Sequence, residues 1–191
     1  MSRRCLQSPT GAAQPAAAAH RAVLPVHKTK RLTLRAPTMS DFPVWRELMV
    51  PDEEGFLGGP HTEEMAWESF CVYVAGWLLH GHGLWTVELH TTNTVAGFVH
   101  LGLEWEDEEP ELGWMLLPEF RGKGIALEAT QAARAHGLAL LGDDGFVSYV
   151  ARENARSNAL AERLGARRDI AEEARLGDDE NTHVWRHGGY A

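Results

Sequence analysis

The run Glu111-Leu112-Gly113-Trp114-Met115-Leu116-Leu117-Pro118-Glu119-Phe120-Arg121-Gly122-Lys123-Gly124-Ile125-Ala126 reads as a strand, a glycine-rich turn and the first turn of a helix. Gly122 and Gly124 keep side chains away from the backbone. The amides of Gly122, Lys123, Gly124, Ile125 and Ala126 can then converge on an anion at a helix N-terminus. Any fold of this chain has to set a strand end beside that turn. A dinucleotide fingerprint would need a third glycine where Leu127 stands, although Asp143 and Asp144 lie near its acidic position. A P-loop would need Ser or Thr after Lys123, where Gly124 stands. A turn that starts a helix and binds nothing is the plain structural alternative.

The flanking pattern predicts a mixed fold. Residues 31–35 alternate Leu32 and Leu34 with polar neighbours, the period of a half-buried strand. Ser40 is a candidate N-cap for a helix carrying Phe42, Trp45, Leu48 and Met49, with Pro43 in a first turn where its missing N–H does no harm. After the glycine-rich break at 55–60, Thr62 caps a second helix with Glu63 and Glu64 in its first turn. That helix sets Trp67, Phe70, Val74, Trp77 and Leu78 on one face and ends near Gly81 or Gly83. Residues 84–88 and 94–103 read as a hairpin, and 111–116 as the third strand of the meander. A helix over 125–140, a strand over 146–150, a helix over 154–164 stopped by Gly165, and a strand over 182–185 follow. The order is that of one α+β domain over residues 29–191.

Charge narrows the partners. Residues 1–40 hold seven basic side chains and no acid, whereas the remainder holds 27 acids against 11 Lys and Arg, a formal charge of −16. Such a body argues against nucleic acid and favours cationic or amine-bearing partners. No apolar run reaches the roughly 20 residues of a membrane span, so no membrane association is expected. Cys5 and Cys71 suggest neither a disulfide framework nor a metal site, and a reducing, cytoplasmic setting is expected. His80, His82, His90 and His100 show no spacing that demands a metal, and none is expected. Residues 1–28, rich in Ala, Pro, Gln and Ser, read as a disordered tail; their acid-free composition also resembles an organelle transit peptide, but no amphipathic helix is written there.

The element order and the glycine turn together resemble the GNAT superfamily of acetyl-CoA-dependent N-acetyltransferases. That family's pyrophosphate signature is Gln or Arg, two residues, Gly, one residue, then Gly or Ala, and Arg121, Gly124 and Ala126 fill those places. About 30 residues on, Asn154, Ser157, Asn158 and the Leu164-Gly165 ending stand where the family has its Asn-x-x-Ser or Asn-x-x-Ala helix. The opening Arg31-Leu32-Thr33-Leu34-Arg35, the Gly113-Trp114 strand and the Asn-x-x-Ser-Asn form most resemble the branch that acetylates N-termini of ribosomal proteins. The similarity covers residues 29 to 190. It implies a mixed, mostly antiparallel sheet of about six to seven strands flanked by four helices and splayed at the central parallel pair. It also implies acetyl-CoA as acyl donor and direct attack by a primary amine, of a protein N-terminus or a small molecule, in a ternary complex. A GNAT-shaped module that binds coenzyme A without turnover is the alternative, and an exposed sheet edge is compatible with a homodimer.

On this resemblance, backbone groups near Met115 and Leu116 pair with the pantetheine arm, and Arg121, Gly122, Lys123, Gly124, Ile125 and Ala126 hold the pyrophosphate. Asn154 contacts the cofactor arm and Ser157 lies near the sulfur. Solvated cations at Arg121 and Lys123, and simple helix caps at Asn154 and Ser157, are the structural alternatives. Attack requires a neutral amine, and an α-amine of pKa about 8 gives up its proton far more readily than a lysine amine at about 10.4. The candidate bases are Glu104, Glu106, Asp107, Glu108, Glu109 and Glu111; Glu111, on the strand, and Glu104, at the end of its neighbour, stand out from an otherwise solvated hairpin. Relatives use a tyrosine to protonate the thiolate where this chain has Ala161, which leaves Ser157 or water as donor. Cys71, in an apolar helical run, is expected to be a packing residue. Trp45, Trp67, Trp77, Trp85 and Trp114 are expected in the core, with Trp67 or Trp77 able to line an acceptor pocket.

Overall fold

The structure, a computed structural model, describes residues 3–105, 107–142, 145–177 and 181–188. Its strands are β1 (His27–Lys28), β2 (Leu32–Arg35), β3 (Leu84–Leu89), β4 (Val95–Gly102), β5 (Glu111–Leu116), β6 (Phe146–Ala151), β7 (Arg167–Arg168) and β8 (Thr182–His187). They form one sheet of order β1-β2-β3-β4-β5-β6-β8-β7. The helices are α1 (Ala13–Ala22), α2 (Phe42–Met49), α3 (Glu63–Leu79), α4 (Ile125–Leu141), α5 (Ala155–Arg163) and α6 (Ile170–Leu176). Every pairing is antiparallel except β5 with β6, which share the single register pair Glu111 with Val147 before they part. The expected splay at the central parallel pair is therefore present. The strand and helix counts are corrected from six to seven and four to eight and six among the described residues. Strands β1 and β7 have two residues each, too few to write a period into the sequence.

Each face of the sheet carries its own core. Helix α4 covers Leu32, Leu34, Val87, Val99, Leu101, Leu112 and Phe146, and its wholly buried Ala129 and Ala133 let it approach closely. At Gly137 a Cβ would stand 2.7 Å from the Phe146 ring. Helices α2 and α3 cover the other face, packing Phe42, Trp45 and Phe70 on Leu84, Phe98 and Met115. Ser40 does not cap α2. Thr38 and Asp41 form a capping box one turn earlier, around the short turn Met39–Asp41, because the Asp41 carboxylate also receives the Arg35 guanidinium at 2.8 and 2.9 Å.

The stretch read as a disordered tail carries the turn Arg4–Leu6 and the helix α1, with no residue of either buried. The high helix propensity of its alanines accounts for α1. Contacts tie this stretch to the body at several points. Pro25 O accepts from Trp85 Nε1 at 3.1 Å, Leu24 packs on the α4 face, and Leu6 packs on the α2 face. Among the described residues no helix is long and apolar enough to cross a membrane.

Candidate active site

Side chains, not ladder bonds, span the gap where β5 and β6 part. Val147 N donates to Pro110 O at 3.0 Å, but the next β6 amide in that direction, Tyr149 N, donates to Glu111 Oε1 at 3.3 Å. Ser148 Oγ donates to Leu112 O and lies 2.9 Å from His187 Nε2. Arg134 Nε donates to His187 Nδ1 at 3.2 Å, so the imidazole carries its proton on Nε2 and donates to Ser148. Burial beside Arg134 pushes His187 down to about 3, in keeping with that neutral form. The gap opens into a cleft of about 750 Å³ that runs from the glycine turn to the α2 and α3 face.

At the turn, Gly122 and Gly124 have φ of 71° and 73°, the left-handed region in which an added Cβ is strained. Gly124 is the residue before α4, and no side chain caps that helix. The first amides of α4 therefore have no acceptor within the helix. Arg31 braces the turn: its Nη1 donates to Lys123 O at 2.9 Å, and its Nε meets Glu128 at 2.6 Å. Arg121 Nε donates to Leu116 O at 2.9 Å. Its Nη1 lies 3.0 Å from Glu54, which also pairs with Arg156 of α5. Gly122, Gly124 and Ala126 line the cleft; Lys123 is exposed, and the Ile125 side chain is buried in the core, leaving only its backbone at the turn.

Backbone alternation along β5 refines which groups face the cleft. Pro110 O and Leu112 O bond toward β6, whereas Leu117 N donates to Ala96 O on the β4 side. A Cβ built on Gly97 of β4 would stand 2.1 Å from Met115 O. Trp114 and Leu116 therefore turn their backbones to the open edge. Of the two residues expected at the pantetheine arm, Met115 turns its backbone to β4 and Leu116 turns its own to the open edge, and both line the cleft. Asn154 caps α5 by accepting from Ser157 N at 3.1 Å, and Ser157 Oγ accepts from Trp114 Nε1 at 3.3 Å. Both residues line the cleft.

The fold sorts the acids of residues 104–111. Glu108 pairs with Arg175 at 2.9 Å and Glu109 with Arg186 at 2.7 Å. Asp107 accepts from Glu104 N at 2.6 Å, and Glu106 lies outside the described residues. Glu104 and Glu111 line the cleft. Desolvation pushes Glu111 up to about 8, with Asp107 and Glu104 adding to the rise and the Tyr149 amide opposing it. Glu104 Oε1 accepts from the Tyr73 hydroxyl. Burial, with Glu104 beside it, holds that phenol well above the usual tyrosine range. The Tyr73 ring lies on His100, with centroids 4.6 Å apart. His100 is 5% exposed, and burial lowers it to about 4. Its Nε2 is 3.9 Å from Glu111 Oε2, beyond hydrogen-bond distance.

Sequence reasoning missed Tyr73 and His100 as cleft residues. The signal for Tyr73 was a phenol set at helical spacing among the buried Ala66, Phe70 and Trp77, where its hydroxyl needs a partner. Trp45, Trp77 and Trp85 are in the core as expected, and Trp67 and Trp114 are half-buried. Neither Trp67, beside Cys5 and Leu6, nor Trp77, which donates to Leu84 O at 2.9 Å, lines the cleft; Trp45 and Trp114 do. Ala161 is wholly buried against Val150 and Trp185. Cys71 is half-buried with its thiol pushed up by desolvation, as befits a packing residue.

The acetyltransferase (GNAT) domain profile matches residues 31–167. An acetyltransferase from Agrobacterium tumefaciens strain C58 shares the fold with a TM-score of 0.77 at 34% identity, covering 85% of this chain and 94% of that one. A GNAT-family acetyltransferase from Bordetella pertussis does so at 0.69 and 27%, covering 85% and 98%. The ribosomal L7/L12 α-N-protein acetyltransferase RimL, solved in complex with coenzyme A, has the same fold at 0.62 and 22%, covering 76% and 85%. The splayed sheet and uncapped glycine turn thus coincide with a domain profile spanning most of the chain, and the protein belongs to the GNAT acetyltransferase family.

Proposed function

We propose that this chain moves the acetyl group of acetyl-CoA to a primary amine in a ternary complex, with Glu111 receiving the amine's proton. The observation that carries this reading is a desolvated carboxyl, Glu111, facing the same cleft as an uncapped helix N-terminus at Gly124. The amides of Gly122, Lys123, Gly124, Ile125 and Ala126, with Arg121 beside them, are assigned to the pyrophosphate of the donor. The open edge at Trp114 and Leu116 is assigned to its pantetheine arm, and Asn154 and Ser157 to the thioester end. Metal ions have no part in this scheme.

The amine lone pair forms the new N–C bond at the thioester carbonyl, and the C–S pair leaves on sulfur. The amine's proton passes to Glu111 directly or through water, and sulfur takes a proton from Ser157 or water. With no tyrosine at Ala161, a thiol of pKa about 8.5 still leaves as thiolate at a cost of only about 2 kcal/mol at pH 7. A carboxyl raised to about 8 is matched to an α-amine near pKa 8 and poorly matched to a lysine amine at about 10.4. That match supports a protein N-terminus as acceptor, the kind of amine that the RimL neighbour acetylates on ribosomal L7/L12. The free thiols of Cys5 and Cys71 suit a reducing cytoplasm.

Thiol release from acetyl-CoA, measured with N-terminal peptides, polyamines, aminoglycosides and small amines, tests the proposal. Release with at least one amine is expected, and Glu111→Gln is expected to lower kcat about 10²- to 10⁴-fold with coenzyme affinity retained. Coenzyme binding without release on any amine would sink it in favour of a module that only holds coenzyme A.

A further inference from the structure

Among the described residues, His100 stands out as a buried side chain with unspent polar capacity: neither Nδ1 nor Nε2 has a hydrogen-bond partner. It cannot turn away from the cleft. The Tyr73 ring covers one side, and on the other a Cβ on Gly113 would stand 2.0 Å from His100 Cε1. Native structures seldom leave such a group unpaired, so it calls for a partner supplied from the cleft that it lines.

The surroundings say what that partner is. Glu104 and Glu111 border the same space, and among the described residues neither is paired with Lys or Arg. The nearby donors are already committed: the Tyr73 hydroxyl to Glu104 and the Tyr149 amide to Glu111. What is left is mainly acceptor capacity: the Glu104 carboxylate, the Glu111 carboxyl, which a cation beside it would hold ionised, and whichever imidazole nitrogen does not carry the ring proton. A primary ammonium has three N–H donors and no acceptor, and is the complement of that set.

We propose that Glu104, Glu111 and His100, walled by Tyr73, form a subsite that binds the acceptor as a cationic ammonium and excludes amines with a carboxylate on the adjacent carbon. The inference rests on the acetyl-transfer reading and names its substrate class. A free amino acid brings its own carboxylate beside the Glu104 carboxylate, like charge against like charge, whereas a peptide N-terminus or an alkylamine does not. Asp107, packed next to Glu104, adds a further negative charge.

The test compares an amino-acid amide, the corresponding free amino acid and a short peptide bearing the same N-terminal residue, by thiol release in wild type, His100→Phe and Glu104→Gln. The amide and peptide are expected to exceed the free amino acid at least tenfold in kcat/KM. His100→Phe is expected to raise the acceptor KM at least tenfold, with the KM for acetyl-CoA within twofold of wild type. Phe removes two unpaired nitrogens from a buried place, so thermal stability is expected to hold or rise. Glu104→Gln alters an exposed residue that does not threaten folding, and it is expected to raise the acceptor KM in the same way. Equal use of amide and free amino acid, or an unchanged acceptor KM in both variants, overturns the inference alone. No release with any amine overturns it together with the reading on which it rests.

Discussion

The Glu54 carboxylate lies 3.0 Å from Arg121 Nη1 and also pairs with Arg156, so one acid from the loop between α2 and α3 bridges the glycine turn to the start of α5. The loop and both arginines line the cleft. A bound pyrophosphate would compete with Glu54 for these cations. Partly exposed pairs of this kind contribute about 0–1 kcal/mol each. Glu54→Gln is therefore expected to tighten coenzyme A about 2- to 5-fold in calorimetry at 0.1 M salt, with the gain shrinking at 0.5 M as screening weakens the competing pairs. Weaker binding in the variant would mean that Glu54 supports the cofactor site and does not compete with it.

Gly124 separates the cofactor site from stability. At φ of 73° an added Cβ meets nothing nearer than Arg31 Nη2 at 3.5 Å, so the penalty is conformational, about 1–2 kcal/mol. Gly124→Val is expected to lower Tm by roughly 2–8 °C and to abolish measurable coenzyme binding, because the side chain would sit over the anion cradle. Undiminished affinity in calorimetry would remove the cradle argument.

Glu111 makes stability depend on pH in a stated direction. Its folded pKa, about 8, lies above the ordinary 4.5, so its favourable contribution is complete below about pH 4.5 and is lost as pH rises toward 8. Glu111→Gln keeps the uncharged shape at every pH. Urea unfolding is expected to show the variant gaining about 1–3 kcal/mol on wild type between pH 5 and pH 8. A difference that stays constant across that range would contradict the assignment.

Asp41 tests the joint between β2 and α2. Its carboxylate, 3% exposed, holds both Arg35 nitrogens, the Thr38 amide and the Thr86 hydroxyl. Asp41→Ala would leave the partly exposed Arg35 guanidinium with Glu88 as its remaining carboxylate, at 2.8 Å, and is expected to cost about 1–3 kcal/mol. In wild type these partners hold the Asp41 carboxyl below its ordinary 3.8, despite the desolvation that opposes them. Its contribution is therefore present above that value and lost as pH falls below it, which acid titration of unfolding would detect.

What was legible in the sequence was local. The strand, glycine turn and helix at 111–126, the hairpin before them and the cap at Asn154 each depend on residues a few positions apart, where backbone sterics and short hydrogen bonds decide the outcome. The resemblance to the GNAT family rested on two such local motifs, and it brought the splay with it. Tertiary structure alone decided which acids of 104–111 are spent on Arg175 and Arg186 and which face the cleft, because those arginines come from the far end of the chain. It alone turned the Met115 carbonyl to β4, a matter of ladder phase that a strand does not carry in its own composition. It alone brought Tyr73 from α3 and His100 from β4 beside Glu111. Desolvation and pairing depend on what surrounds a group in space, so the charge and reactivity of these residues could not be read from the order in which they occur.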